Sequence, residues 1–161
     1  MLKSLKTLLI GFGNTLRGDD GLGPVVAERF RAQLSERLGG AAANLRIIAA
    51  PQLMPEHAAD LAQVDRAIFV DASFAADPGA IRHERIEPGE WVPSGSGHGY
   101  DPVALTAMAH TIYGAEPEVH LVSVGIAHVS DFCEHFSPEV AAAVPEVLDT
   151  IESLLKGGEA A

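Results

Sequence analysis

Two adjacent carboxylates, Asp19 and Asp20, stand between a glycine-rich turn and a segment with helical apolar spacing. Further along, Asp71 ends the apolar run AIFVD, and His98 lies in the glycine-rich stretch GSGHGYDP. Neighbouring carboxylates perturb one another's pKa and suit metal binding or acid–base work. Neutral imidazole is the commonest metal ligand. Each residue also has an ordinary reading. One aspartate can cap a helix N-terminus, but a second adjacent one is harder to explain by capping, because like charges repel. Asp71 can be a turn former, although a carboxylate ending an apolar strand is expensive if buried without a partner. A lone loop histidine such as His98 is ordinarily just solvated, and His110 and His120, inside regular elements, are expected to be structural.

Other chemistries fit less well. Gly11-x-Gly13 resembles the start of a dinucleotide fingerprint, but the third small residue would fall at Leu16. The acidic pair would also stand where phosphates should dock. The chain has no HExxH zinc helix and no GxSxG nucleophile elbow. Its one cysteine, Cys133, lies in DFCEH with His128 and His135 nearby. A cysteine protease would need that thiol activated, and packing in a loop or the core is the stronger reading. One cysteine also rules out a disulfide within the chain and a cysteine-rich cage for a structural metal.

The elements that must hold these residues alternate between strand and helix. Thr7 to Ile10 reads as a first strand, followed by a helix from Asp20 to Leu38 that Gly39-Gly40 stops. Leu45 to Ala49 is a second strand, and Pro55 opens a short helix to about Ala62. Ala67 to Asp71 is apolar throughout and reads as a central strand, whereas Ile81 to Ile86 alternates loosely and reads as an edge. Residues 87–99 form a glycine-, proline- and serine-rich loop. Asp101 and Pro102 then open a helix, Val119 to Ile126 is the last strand, and Ser137 caps a final helix to about Leu155. Asp20 and Asp71 therefore fall at the carboxyl ends of strands, where open α/β sheets bind ligands. The pattern implies a three-layer α/β/α sandwich with a mostly parallel sheet of about five strands.

The 161 residues suffice for one domain, taken as 1–156, with 157–161 a frayed tail. A net charge of −11 argues against nucleic acid or an anionic membrane as partner. No run approaches the roughly 20 apolar residues of a membrane helix. The opening MLKSLKTLLIG lacks a signal-peptide cleavage pattern. A cytoplasmic, soluble and monomeric domain is expected.

GFGNTLRGDDGLG resembles the amino-terminal motif of the hydrogenase maturation proteases: an apolar strand, G-x-G-N, a spacer, D-[DE], then G-x-G. These endopeptidases remove the carboxyl-terminal extension of nickel-iron hydrogenase large subunits after nickel insertion. The resemblance implies a twisted sheet sandwiched by helices and assigns nickel recognition to Asp20. It assigns the second acidic contact to Asp71 and, by order and context, the imidazole to His98. Together these form a mixed O,O,N site that suits nickel, zinc or manganese with open positions. On this reading Asp20, Asp71 and His98 also carry catalysis. Asp19 would be a helix cap supporting Asp20, and Gly11, Gly13 and Asn14 would shape the floor. PQLMPE at 51–56 resembles a groove-shaping segment, with Gln52 facing the site. The implied partner is the large-subunit precursor, which brings its own nickel; another divalent cation could occupy the isolated protein. Whether a metal polarises the scissile carbonyl or a carboxylate activates water stays open at this point. Two alternatives remain: a non-catalytic metal-dependent chaperone or checkpoint protein for the same precursor, and an unrelated small α/β hydrolase or nucleotide-binding protein.

Overall fold

A computed structural model of the chain describes residues 5–89 and 100–157. One sheet is built from β1 (Thr7–Phe12), β2 (Leu45–Ala50), β3 (Arg66–Ser73), β4 (Ile81–Ile86) and β5 (Glu118–Gly125). Its helices are α1 (Leu22–Ala32), α2 (Leu34–Leu38), α3 (Glu56–Leu61), α4 (Pro102–Tyr113) and α5 (Pro138–Leu155). The strand order is β2-β1-β3-β5-β4; β4 is antiparallel to β5 and the other pairs are parallel. The expected three-layer α/β/α architecture is the one that forms. Ala67–Asp71 lies in the middle strand, and Ile81–Ile86 is the edge.

Side chains alternate across the pleat, so each inner strand feeds two cores. Leu9, Ile68, Val70, Val122 and Val124 pack on one face against α1 and α5. Leu8, Ile10, Ala67, Phe69 and Val119 pack on the other against α3 and α4. The chain leaves β1 toward one face and returns to β3 from the other. The topological switch point therefore lies between the carboxyl ends of β1 and β3, where Gly11 pairs with Val70.

The helix expected from Asp20 to Leu38 is not continuous. Gly18–Gly21 forms a 3-10 turn, α1 ends at Ala32, and the Gln33 amide is shared between the carbonyls of Arg29 and Phe30 at 3.1 Å each. The chain restarts as α2, whose Arg37 is tied to α5 through Asp149 at 3.0 Å and Glu152 at 3.2 Å. Apolar spacing continues across the break through Leu34 and Leu38, which still touch the core. β1 runs beyond Ile10 because Gly11 and Phe12 keep their pairing with Ala49 and Ala50. The caps follow the expected chemistry. Asp101 accepts from the Ala104 amide at 2.7 Å, and the Ser137 hydroxyl accepts from Val140 at 3.4 Å.

The glycines of the amino-terminal motif let α1 lie directly on the sheet. A Cβ on Gly23 would strike the carbonyl oxygens of Phe12 and Val70, and one on Gly11 would strike the Gly23 carbonyl. Gly13, at φ 143°, adopts a conformation that side chains disfavour, and its Cα faces the Asp20 carbonyl. Gly23→Ala is therefore expected to destabilise the protein by about 1–3 kcal/mol or more, because the obstructing atoms are backbone and cannot rotate away. Urea unfolding of the variant checks this; a parental midpoint would mean that the contact is looser than described.

Candidate active site

Asp20 ends the turn that the glycines press onto β1, and its Oδ2 accepts the Asn14 amide at 2.9 Å. Asn14 also holds the turn itself: its Oδ1 accepts from Leu16 at 2.9 Å and its carbonyl from Arg17 at 3.0 Å. Asn14 thus aims a donor at Asp20 as well as shaping the turn. Asp71 stands one position beyond the Gly11–Val70 pair and opposite Ser123 of β5. By alternation with Ala67 and Phe69 it lies on the α3/α4 side of the sheet. Its Oδ1 accepts the Ala72 amide at 2.8 Å. Burial pushes the Asp71 carboxyl up to about 7, the Ala72 amide opposes this, and the negative charge of Asp20 adds to the rise. The charge of Asp20 reaches Asp71 across the switch point.

His98 lies outside the described residues. The helix that follows it can be placed. β5 starts at the amino end of the sheet shortly after α4 ends, so α4 runs back from the carboxyl end, with Asp101 there. Among the described residues no group of three or more His, Cys, Asp or Glu side chains could hold a metal ion. The donor chemistry of the pair still suits a cation. One positive charge would relieve both the repulsion and the desolvation of Asp71. Two carboxylates leave most of a coordination shell to be filled by other groups.

Contrary to the expectation from the sequence, Asp19 does not cap its own helix. It is buried at 5% exposure, and its two oxygens accept the Ser137 amide at 2.7 Å and the Ser137 hydroxyl at 2.8 Å. Its charge therefore sits at the N-terminus of α5, not α1, because the 3-10 turn rotates it away from the first turn of α1. Gln52 is exposed and its amide donates to the Met54 sulfur at 3.4 Å, a local contact within its own turn.

Sequence reasoning missed the loop 127–136 as part of this end of the sheet. Cys133 pairs with the turn before Asp20: its amide donates to Leu16 at 2.9 Å, and its carbonyl accepts from Gly18 at 2.7 Å. Its thiol faces the His135 carbonyl at 3.5 Å, so the loop holds Cys133 by its backbone. No sequence signal links residues 118 apart, such as Asp19 and Ser137. His120 is buried and bonded to His83 at 2.7 Å, away from both carboxylates, consistent with a structural role.

The sheet order and the coupled carboxylates at the switch point place the chain among three-layer α/β/α proteins with a site at the carboxyl end of the sheet. Comparison with solved structures narrows the fold further. The chain is similar to a [NiFe] hydrogenase maturation protease, HycI, from Thermococcus kodakarensis, with 22% identity, a TM-score of 0.71, and 94% of this chain and 93% of that one covered. It is similar to the hydrogenase maturating endopeptidase HybD of E. coli at 20% identity and a TM-score of 0.68, over 94% and 92% of the two chains. It is also similar to a hydrogenase 2 maturation peptidase from a Thaumarchaeota archaeon, at 23% identity and 0.67, over 94% and 98%. The fold is thus the one those proteases have. No protein-family model and no curated protein sequence matches the chain. The described residues contain no helix long and apolar enough to cross a membrane.

Asp71→Asn keeps an acceptor for the Ala72 amide and removes the charge. A carboxyl whose folded pKa is raised costs no stability below its unfolded value, where both states are protonated. The cost grows as pH rises and levels off above about 7. The variant should therefore be more stable than the parent at pH 8, by about 4 kcal/mol, and nearly equal to it at pH 4. Urea unfolding across that range checks this, and a difference independent of pH would contradict the burial of Asp71.

Proposed function

We propose that the chain is an endopeptidase that removes the carboxyl-terminal extension of a nickel-iron hydrogenase large-subunit precursor after nickel insertion. The observation that carries this reading is the coupled pair Asp20 and Asp71 at the switch point of a fold shared with hydrogenase maturation proteases. The nickel belongs to the substrate. Asp20 and Asp71, joined by His98, contact metal that the precursor already holds, and the precursor's own ligands complete the shell. Assembling such a site from separate segments in the free protein costs ordering entropy, so the full coordination sphere forms in the complex. Nickel is then the recognition signal, and no separate sensor is required.

Asp71 holds a proton near neutral pH until positive charge arrives, and then releases it. Hydrolysis of the scissile peptide needs a group that takes a proton from the attacking water and returns one to the leaving amine. Asp71, once the metal has displaced its proton, is a carboxylate placed to take the proton of the attacking water. The protein acts in the cytoplasm as a monomer with the precursor as its partner.

The test is the mass of a large-subunit precursor incubated with the purified chain, with and without prior nickel loading. Only the loaded precursor should lose its extension. Asp20→Asn and Asp71→Asn should each slow cleavage by about a hundredfold or more while staying folded, and Cys133→Ser should cleave at the parental rate. Equal cleavage of both precursors would end the role of nickel as signal. Stable binding of the loaded precursor without cleavage would favour a checkpoint protein over a protease.

A further inference from the structure

Phe132 is the most exposed of the large apolar side chains, at 93%, and the one non-glycine residue with positive φ, at 57°, among the described residues. Exposed apolar residues are ordinary when scattered, and a left-handed aromatic is not. The conformation is held from both sides. Arg17 Nε donates to the Asp131 carboxylate at 3.1 Å, and Cys133 is bridged to the turn at Leu16 and Gly18. The backbone after Phe132 is therefore fixed to the turn that carries Asp20, an exposed ion pair links the residue before it, and the ring stands outward. Such strain persists where the surrounding structure enforces it, and it concentrates at ligand clamps.

The placement points to the same site. The loop leaves the sheet beside β3, where the Ile126 amide donates to the Ser73 carbonyl at 2.9 Å. Leu16, 49% exposed, lies four residues before Asp20, and Phe74, 67% exposed, lies three residues after Asp71. Exposed apolar side chains thus stand on the segments leaving β1, β3 and β5 at the end that holds the two carboxylates. Asp131 and Glu134, both exposed, flank Phe132.

We propose that Phe132 is the docking point for the precursor, entering an apolar pocket with a basic rim on the large subunit and so setting the metal against Asp20 and Asp71. The proposal rests on the protease reading. Its occupant follows from the continuity of this surface with the candidate site, from the exposed Glu134 near the ring and from the chain's net charge of −11; Asp131 is already paired with Arg17. Phe132 is a positioning residue and touches no reacting atom. Rigid aromatic side chains are the usual anchors of such interfaces.

The experiment uses Phe132→Gly, which suits positive φ and keeps the loop conformation, and Phe132→Leu, which keeps apolar bulk. Cleavage of nickel-loaded precursor by the parental chain is measured first; its absence would sink the protease reading itself. Given parental cleavage, Phe132→Gly should fold at least as stably as the parent and raise KM about tenfold or more with little change in kcat. Phe132→Leu should recover part of the loss, and the parental kcat/KM should fall with added salt. A parental KM for Phe132→Gly would overturn the proposal, as would loss confined to kcat. Sedimentation showing a parental dimer that Phe132→Gly dissolves would assign the ring to a second copy of the chain and equally overturn it.

Discussion

The contact between the first turn of α1 and the ends of β1 and β3 is the constraint on which the rest of the site depends. Gly23 rests on the carbonyls of Phe12 and Val70, leaving no room for a methyl group. That approach draws the preceding turn tightly over the end of β1. Asp20 is thereby brought to the switch point beside Asp71, with the Asn14 amide fixing one of its oxygens. The glycine spacing that superficially resembles a phosphate loop has a different purpose here. It lets a helix begin so close to a strand that the carboxylate before it lies over the carboxyl ends of the inner strands.

The arrangement has a cost. Asp71 is half-buried near a like charge, and its ionised form is disfavoured relative to the unfolded chain. A cost of about 4 kcal/mol is about what two fully buried leucines contribute. The two apolar cores, one on each face of the sheet, supply many such residues. The fold can therefore hold a mutually repelling pair without losing its structure. A cation arriving with its own ligands would remove the penalty at the moment of recognition, so on the proposed reading the native fold is poised to favour a metal-bearing partner.

Local signals made much of this legible. The unbroken apolar run Ala67–Val70 announces a central strand, and Asp101-Pro102 and Ser137-Pro138 announce helix starts that the caps confirm. Alternation in Ile81–Ile86 announces the edge. What failed was non-local or masked by periodicity. The break at Gln33 is invisible because apolar spacing continues through Leu34 and Leu38. The partner of Asp19 lies 118 residues away, so capping of its own helix looked reasonable. The strain at Phe132 arises from pairing with the turn at Leu16–Gly18, which no property of DFCEH foretells. Of the candidate site, the sequence placed Asp20 and Asp71 at strand ends expected to be neighbours, and β1 and β3 do pair side by side there.

The central claim is that Asp20 and Asp71 form one electrostatic unit. It is tested most directly by following the Asp71 side-chain carboxyl through pH by carbon NMR, in the parental chain and in Asp20→Asn. The account predicts a parental midpoint near 7 that falls in the variant but stays above the ordinary carboxylate range, since burial is the larger cause and the charge of Asp20 the smaller. A parental midpoint near the ordinary carboxylate value, or one unmoved by Asp20→Asn, would contradict it.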